Sequence, residues 1–253
     1  MSAFTSDQVA LITGASLGIG AATALEFARQ GARVAVHYRS SRTQAEEVAA
    51  EIRKLGGEAE LFQADVSKAD QARALGPAVL ERFGRIDVLV NNAGSLIERR
   101  PFLEIDDEFW REVIDVNVSS VLWVSQPVVA HMKERGSGAI VNLGSIAGHN
   151  GGGIGAMPYA MTKAAVTCVT KGMAKELISQ GIRVNAVNPG VILTPFHERF
   201  SKPEQMRAMV SMIPQGRAGR ADEIAPAIAF LASEAASHIV GESIEVNGGM
   251  LMD

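Results

Sequence analysis

Short runs of β-branched and aliphatic residues return along this chain at helix-length intervals, at 9–13, 33–36, 60–63, 86–91, 138–143, 183–187 and 243–246. Strands joined by connections that long pair in parallel, because a tight hairpin cannot link them and a crossover helix can. Helical periodicity fills the spacers at 18–30, 43–55, 69–83, 107–134, 159–179, 197–212 and 222–232, with Ser67, Asp106 and the pair Ala221-Asp222 as cap-type residues. The rhythm predicts a doubly wound α/β fold, a seven-stranded parallel sheet with helices on both faces and right-handed crossovers.

Composition agrees with buried strands. The 253 residues are 47% hydrophobic but only 5% aromatic, so Ala, Val, Ile and Leu fill the interior, and disorder or a collagen-like fibre is excluded. No linker, composition shift or repeat divides the chain, so residues 1–253 read as one domain, with an irregular flap expected at about 191–219. A formal net charge of −4 without a basic block argues against a general nucleic-acid partner. Cys168 is the only cysteine; no intrachain disulfide or cysteine metal cluster is expected, and a reducing compartment fits. The first residues, MSAFTSDQVALITGAS, lack a basic segment followed by an apolar one, and no stretch approaches the ~18 uninterrupted apolar residues of a membrane span. A soluble, cytoplasmic protein is expected.

The first strand runs into Thr13-Gly14-Ala15-Ser16-Leu17-Gly18-Ile19-Gly20 and then a helix. A glycine-rich strand-to-helix turn concentrates backbone N–H groups and the positive end of a helix at one point, which suits a pyrophosphate. Gly14 frees the turn, Gly18 lets a nucleotide approach, and Gly20 lets the helix lie close to the sheet. The spacing is GxxxGxG rather than the general GxGxxG, and by itself it also suits a purely structural turn. Two later strands end in Asn91-Asn92-Ala93-Gly94 and Gly144-Ser145, at the sheet's carboxyl edge, where open α/β sheets bind ligands. Tyr159-Ala160-Met161-Thr162-Lys163 then sets a phenol and an ammonium one turn apart on one helix face. A tyrosine titrates near pH ~10 in water, and a neighbouring cation favours its phenolate, so the pair suits acid/base chemistry.

Taken in order, TGASLGIG, NNAG, Asn117, Ser145, YAMTK and Asn188-Pro189-Gly190 resemble the short-chain dehydrogenase/reductase family across nearly the whole chain. The resemblance implies a Rossmann-type domain, nicotinamide-dependent carbonyl reduction or alcohol oxidation, and a homotetramer. By the same resemblance Tyr159 is the general acid or base, Ser145 orients the substrate oxygen, Lys163 holds the nicotinamide ribose and lowers the Tyr159 pKa, and Asn117 anchors a water that relays protons. The cofactor would meet Gly14, Ser16, Leu17, Gly18, Ile19 and Gly20; Tyr38, Arg39 and Ser40; Asp65 and Val66; Asn92, Ala93 and Gly94; and Tyr159, Lys163, Pro189, Gly190, Ile192 and Thr194. No metal is expected.

Cofactor choice is normally read at the end of the second strand, where a carboxylate selects NAD. Here that end reads Val36-His37-Tyr38-Arg39-Ser40-Ser41-Arg42. Without a carboxylate and with two arginines it favours the 2′-phosphate of NADP, although Leu17 stands where many NADP-preferring relatives carry a basic residue. The substrate end is open between an oxoacyl thioester, for which Arg99, Arg100, Lys133 and Arg135 would form a basic rim, and a sugar or polyol, for which His149, Asn150 and His197 are the polar candidates. A nucleotide-binding sensor without turnover is the third reading. The apolar end Met250-Leu251-Met252 suggests burial against a partner subunit, and Pro127 should kink the long helix that contains it or displace its packing.

Overall fold

The computed structural model describes residues 3–252. Its first half runs β1 (Val9–Ile12), α1 (Gly18–Arg29), β2 (Arg33–Tyr38), α2 (Arg42–Lys54), β3 (Ala59–Gln63), α3 (Ala69–Phe83), β4 (Val88–Asn91), α4 (Asp107–Ile114) and α5 (Ser120–Arg135). The second half runs β5 (Gly138–Leu143), α6 (Ala147–Asn150), α7 (Met157–Leu177), β6 (Ile182–Pro189), β7 (Ile192–Leu193), α8 (Pro195–Phe200), α9 (Pro203–Ser211), β8 (Gly219–Arg220), α10 (Ala221–Ala232) and β9 (Ser243–Val246). Seven strands form one sheet in the order β3-β2-β1-β4-β5-β6-β9, every pair parallel.

The order reverses at β1, which pairs with β2 on one side and β4 on the other, Ile12 lying between Val36 and Val90. At such a switch point the crossovers leave to opposite faces and open a crevice above the carboxyl ends of the strands. All four residues of β1 are buried, and alternate residues feed different cores: Ala10 and Ile12 face Phe27 and Ile228, while Val9 and Leu11 face Leu75, Val79 and Leu89. That two-sided burial is why the strands read as continuous apolar runs rather than as alternating ones.

Three expectations need correction. The helix expected over 107–134 is interrupted by a π turn at Asp115–Ser119, centred on Asn117, between α4 and α5. Pro127 does not break α5, and its ring packs beside Gly76 of α3, where a Cβ would lie 3.4 Å from Pro127 Cγ. The helix expected over 197–212 is two: Lys202 is extended (φ −69, ψ 155) and Pro203 opens α9, since a proline disfavours helical backbone in the residue before it. Of the cap candidates only Asp106 serves, accepting from Phe109 N at 2.7 Å; α3 starts after Lys68 and α10 after Arg220.

The segment 107–135 is long and apolar enough to cross a membrane by composition. Its Val124, Val128 and Met132 are buried against Leu75 and Val79 of α3 and Leu89 and Ile140 of the sheet. At the far end, the short ladder β7 with β8 ties together the two ends of the irregular stretch that carries α8 and α9.

Candidate active site

The glycine turn sits where β1 meets α1. Gly14 (φ 65°) and Gly18 (φ 55°) both occupy the left-handed region, and a Cβ on Gly20 would lie 2.2 Å from the Gly14 carbonyl oxygen. The NNAG segment braces this turn. Asn92 Nδ2 donates to the carbonyls of Thr13 (2.8 Å) and Gly14 (3.1 Å), while Thr13 Oγ1 accepts from the amides of Asn92 and Ala93, both at 3.0 Å. His37, which sequence reasoning passed over, is the third brace: its Nδ1 accepts from Gly14 N at 2.9 Å and its Nε2 donates to Ala64 O at 3.0 Å. Burial pushes this imidazole down to about 4, so it is neutral and can accept at Nδ1. The only signal was its place at the end of a buried strand beside the turn.

The N-cap of α1 is Leu17, which has no side-chain acceptor for the first-turn N–H groups. They open onto a cavity of about 640 Å³ above the switch point. Gly14, Ser16, Leu17, Gly18 and Ile19 form its near wall, Arg39, Ser40, Asp65 and Val66 one end, and Asn92, Ala93 and Gly94 its floor. Ser145, Tyr159 and Lys163 lie further in, with Pro189, Gly190, Ile192 and Thr194 across from them. Three expected residues are placed otherwise. Tyr38 is 3% exposed and belongs to the apolar core, Gly20 acts only by lacking a side chain, and Asn117 is buried behind the wall.

Tyr159 lies in the first turn of α7 with Lys163 one turn on, their separation being 5.6 Å from Nζ to the ring centroid. Lys163 Nζ donates to Leu143 O at 2.6 Å, two residues before Ser145, and Ser145 lines the same cavity as Tyr159. Asn117 reaches the same place through the π turn: it donates to Val113 O (2.9 Å) and Ser95 O (2.8 Å) and accepts from Ser95 N (3.0 Å). Gly94 keeps the gap between them open, since a Cβ there would lie 2.7 Å from Asn117 Oδ1 and 3.4 Å from Lys163 Nζ. Burial dominates the electrostatics of the pair. Burial pushes Tyr159 up to about 12 against the opposing influence of Ser145, and burial pushes Lys163 down to about 8. Tyr159 is therefore a proton carrier at neutral pH, not a phenolate.

Other expected polar residues are engaged elsewhere. His149 pairs with Glu245 at 3.3 Å, both of them against Asn188, whereas Asn150 and His197 line the cavity. Of the expected rim, Arg100 is paired with Glu98 and with Asp106 (2.8 Å), and Arg135 with Asp87 (3.0 Å). Among the described residues, no group of His, Cys, Asp and Glu could hold a metal.

A family model described as enoyl-(acyl carrier protein) reductase matches residues 14–251. A 3-oxoacyl-(acyl-carrier-protein) reductase of Synechocystis sp. is 44% identical over 253 residues, covering 100% of both chains. The chain belongs to the short-chain dehydrogenase/reductase family. Its fold matches that of a short chain dehydrogenase from Burkholderia cenocepacia J2315 in complex with NADP, at TM-score 0.90 and 34% identity over 96% of this chain and 98% of that one. An NADH-dependent reductase responsible for alginate metabolism matches at TM-score 0.89 and 37% identity, over 97% of this chain and 98% of that one. The protein is thus an oxidoreductase with a Rossmann fold.

In a short-chain dehydrogenase/reductase the cavity must hold a dinucleotide, and the residues present fit one. Left-handed glycines at 14 and 18 keep side chains off the turn, and the first-turn N–H groups of α1 lack a side-chain cap. Ser145 and Tyr159 bring two hydroxyls together at the deep end, suited to receive one substrate oxygen.

Proposed function

We propose that this protein interconverts a ketone and a secondary alcohol with NADP(H), with reduction as the direction for which the apoprotein is poised. One observation carries this reading: Tyr159 and Lys163, 5.6 Å apart from ring centroid to Nζ, line the same dinucleotide-sized cavity as Ser145, where burial keeps the phenol protonated. The reduced nicotinamide, when bound, supplies a hydride to the carbonyl carbon. Ser145 and Tyr159 donate to the carbonyl oxygen and fix its position, and Tyr159 gives its proton as negative charge develops there. Lys163, close to half charged near pH 8, lies beside the ring and stabilises the phenolate that remains. Asn117 holds the backbone of Ser95 and Val113 and borders the Lys163 ammonium, the place for a water that returns the proton.

NADP is favoured over NAD by charge. Arg39, Ser40 and Ser41 line the end of the cavity that would hold the adenosine ribose. Asp65 is the one acid there. Although burial opposes its ionisation, bonds from the Ser67 hydroxyl (2.7 Å) and amide (3.0 Å) and the charge of Arg39 hold it below the usual carboxylate range. It is thus a satisfied turn residue. Binding of NADPH and NADH to the wild type and to Arg39→Asp, followed by fluorescence, tests the assignment. The account predicts a wild-type preference for NADPH that the substitution lowers about tenfold or more; an unchanged ratio contradicts it.

We further propose a homotetramer in a reducing cytoplasm, on the family resemblance and the single, exposed Cys168. The reaction class is tested by NADPH oxidation with an acetoacetyl thioester, a cyclic diketone and a keto acid. A crotonyl thioester serves as control, since the name of the matched family model describes reduction of a carbon–carbon double bond. Reduction of the ketones but not the control is expected, and the reverse result overturns the reading.

A further inference from the structure

Beyond the catalytic hydroxyls, the cavity is lined by an arginine, Arg99, and a neutral imidazole, His197, that nucleotide binding does not use. Arg99 leaves β4 just past the NNAG segment and is partly buried. Its Nε donates to Phe200 O at 2.7 Å on α8, and its Nη1 donates to Ile154 O at 2.9 Å in the glycine-rich loop before α7. Both partners are neutral carbonyls. Among the described residues no carboxylate pairs with Arg99, and burial without such a partner holds its pKa below the usual value. A partly buried charge that lacks a counter-ion is costly, and it is satisfied when an anion arrives with its ligand.

His197 stands on the same wall. Its Nδ1 meets Ser201 Oγ at 2.9 Å, and burial, reinforced by the charge of Arg99, holds it below the ordinary histidine range. Aromatic contacts connect this wall to the catalytic tyrosine: Phe196 lies 5.6 Å from Tyr159, 5.4 Å from His197 and 5.0 Å from Phe200 by ring centroids. Phe196 thus places an apolar ring between Tyr159 and the α8 residues His197 and Phe200, the second of which accepts from Arg99 through its carbonyl, and an aliphatic chain would lie on that ring.

We propose that the substrate is a small ketone bearing a carboxylate, with Arg99 and His197 receiving the carboxylate while Ser145 and Tyr159 hold the ketone oxygen. The inference rests on the ketone-reductase reading above and narrows its substrate class. It separates a free keto acid from a carrier-bound thioester, which has no carboxylate to place there. The rim cations Arg100 and Arg135, which a carrier would need, are already paired with Glu98, Asp106 and Asp87. Ile154, whose carbonyl accepts from Arg99, carries an exposed apolar side chain beside this wall.

The test compares 3-oxobutanoate and 4-oxopentanoate with their ethyl esters, using NADPH and the wild type, Arg99→Leu, Arg99→Lys and His197→Gln. The acids should be reduced with kcat/KM about tenfold or more above the esters. Arg99→Leu should erase that preference mainly through KM for the acids, Arg99→Lys should restore part of it, and His197→Gln should weaken it less. Esters reduced as well as acids would overturn the inference. So would an Arg99→Leu variant that depresses acid and ester alike, because Arg99 would then only brace the two walls. A cyclic diketone run alongside separates the two readings: its reduction without that of any acid leaves the reductase standing and removes the carboxylate site. If nothing is reduced, calorimetric titration of the NADPH complex with 3-oxobutanoate decides, and binding that does not depend on Arg99 removes the site as well.

Discussion

At neutral pH the Tyr159 hydroxyl, pushed up to about 12 by burial, keeps its proton, and this sets the pH behaviour of both directions. Reduction uses the protonated form, which is fully present across the physiological range. Alcohol oxidation needs the phenolate, whose population below that pKa rises about tenfold per pH unit. Steady-state profiles should therefore place the oxidation optimum well above the reduction optimum; coincident optima would contradict the assignment. Lys163 has the opposite shift, from 10.5 to about 8, caused by burial. Its folded-state pKa lies below the unfolded one, so folding is penalised while both states are charged, and the penalty lifts as pH rises from about 8 towards 10.5. A Lys163→Met variant should be more stable than the wild type at pH ~7, by up to about 3 kcal/mol less the lost bond to Leu143 O. Denaturant titrations should show that difference shrinking above about pH 8. At this scale the closeness of Tyr159 and Lys163 was legible from their spacing, because a helix fixes which residues share a face, whereas the role of Ser145 was reached only through the family resemblance. The protonation of the pair was not legible, because it depends on burial that the whole fold decides.

Among the elements, the π turn at Asp115–Ser119 is the one that a helical pattern could not disclose. It arises where a buried Asn117 takes its bonds from Ser95 and Val113, so that the helix takes up an extra residue and aims that side chain at Gly94 and Lys163. Asn117→Ala leaves three bonds unmade next to buried backbone groups. It should cost about 2–4 kcal/mol in denaturant unfolding and lower kcat more than it changes nucleotide affinity. Loss of nucleotide binding with kcat intact would show that the turn serves the cofactor side instead. Pro127 stays within α5, and its ring takes the space left by Gly76 on the facing helix, a packing adjustment that a proline inside a helix leads one to expect. The break at Pro203 was equally visible in the sequence and was outweighed by the methionine periodicity around it. Those methionines divide their work: Met206 and Met209 pack on Val191, Ile213 and Ala218, and Met209 and Met212 border the cavity.

For the molecule as a whole, the sheet order follows from the chain's alternation of buried runs and helical spacers, and the switch at β1 places the glycine turn, the NNAG segment, Ser145 and the start of α7 at one crevice. Strand existence was readable since each strand is apolar on both faces; the placement of Met250 was not. It lines the cavity against the flap, while Met252 alone of the apolar end stays fully exposed. If that end and the exposed Phe102 and Leu103 are covered by partner subunits, light scattering should give about four times the 26.8 kDa chain mass, and a monomer at working concentration would contradict the tetramer. The central claim is that a protonated Tyr159 performs the chemistry in a site that binds the dinucleotide without it. The direct measurement is ketone-dependent NADPH oxidation by Tyr159→Phe beside calorimetric NADPH binding to the same variant. The account predicts kcat lower by about 10²–10⁴-fold with affinity changed less than about threefold; a variant that binds NADPH and still turns over near the wild-type rate would contradict it.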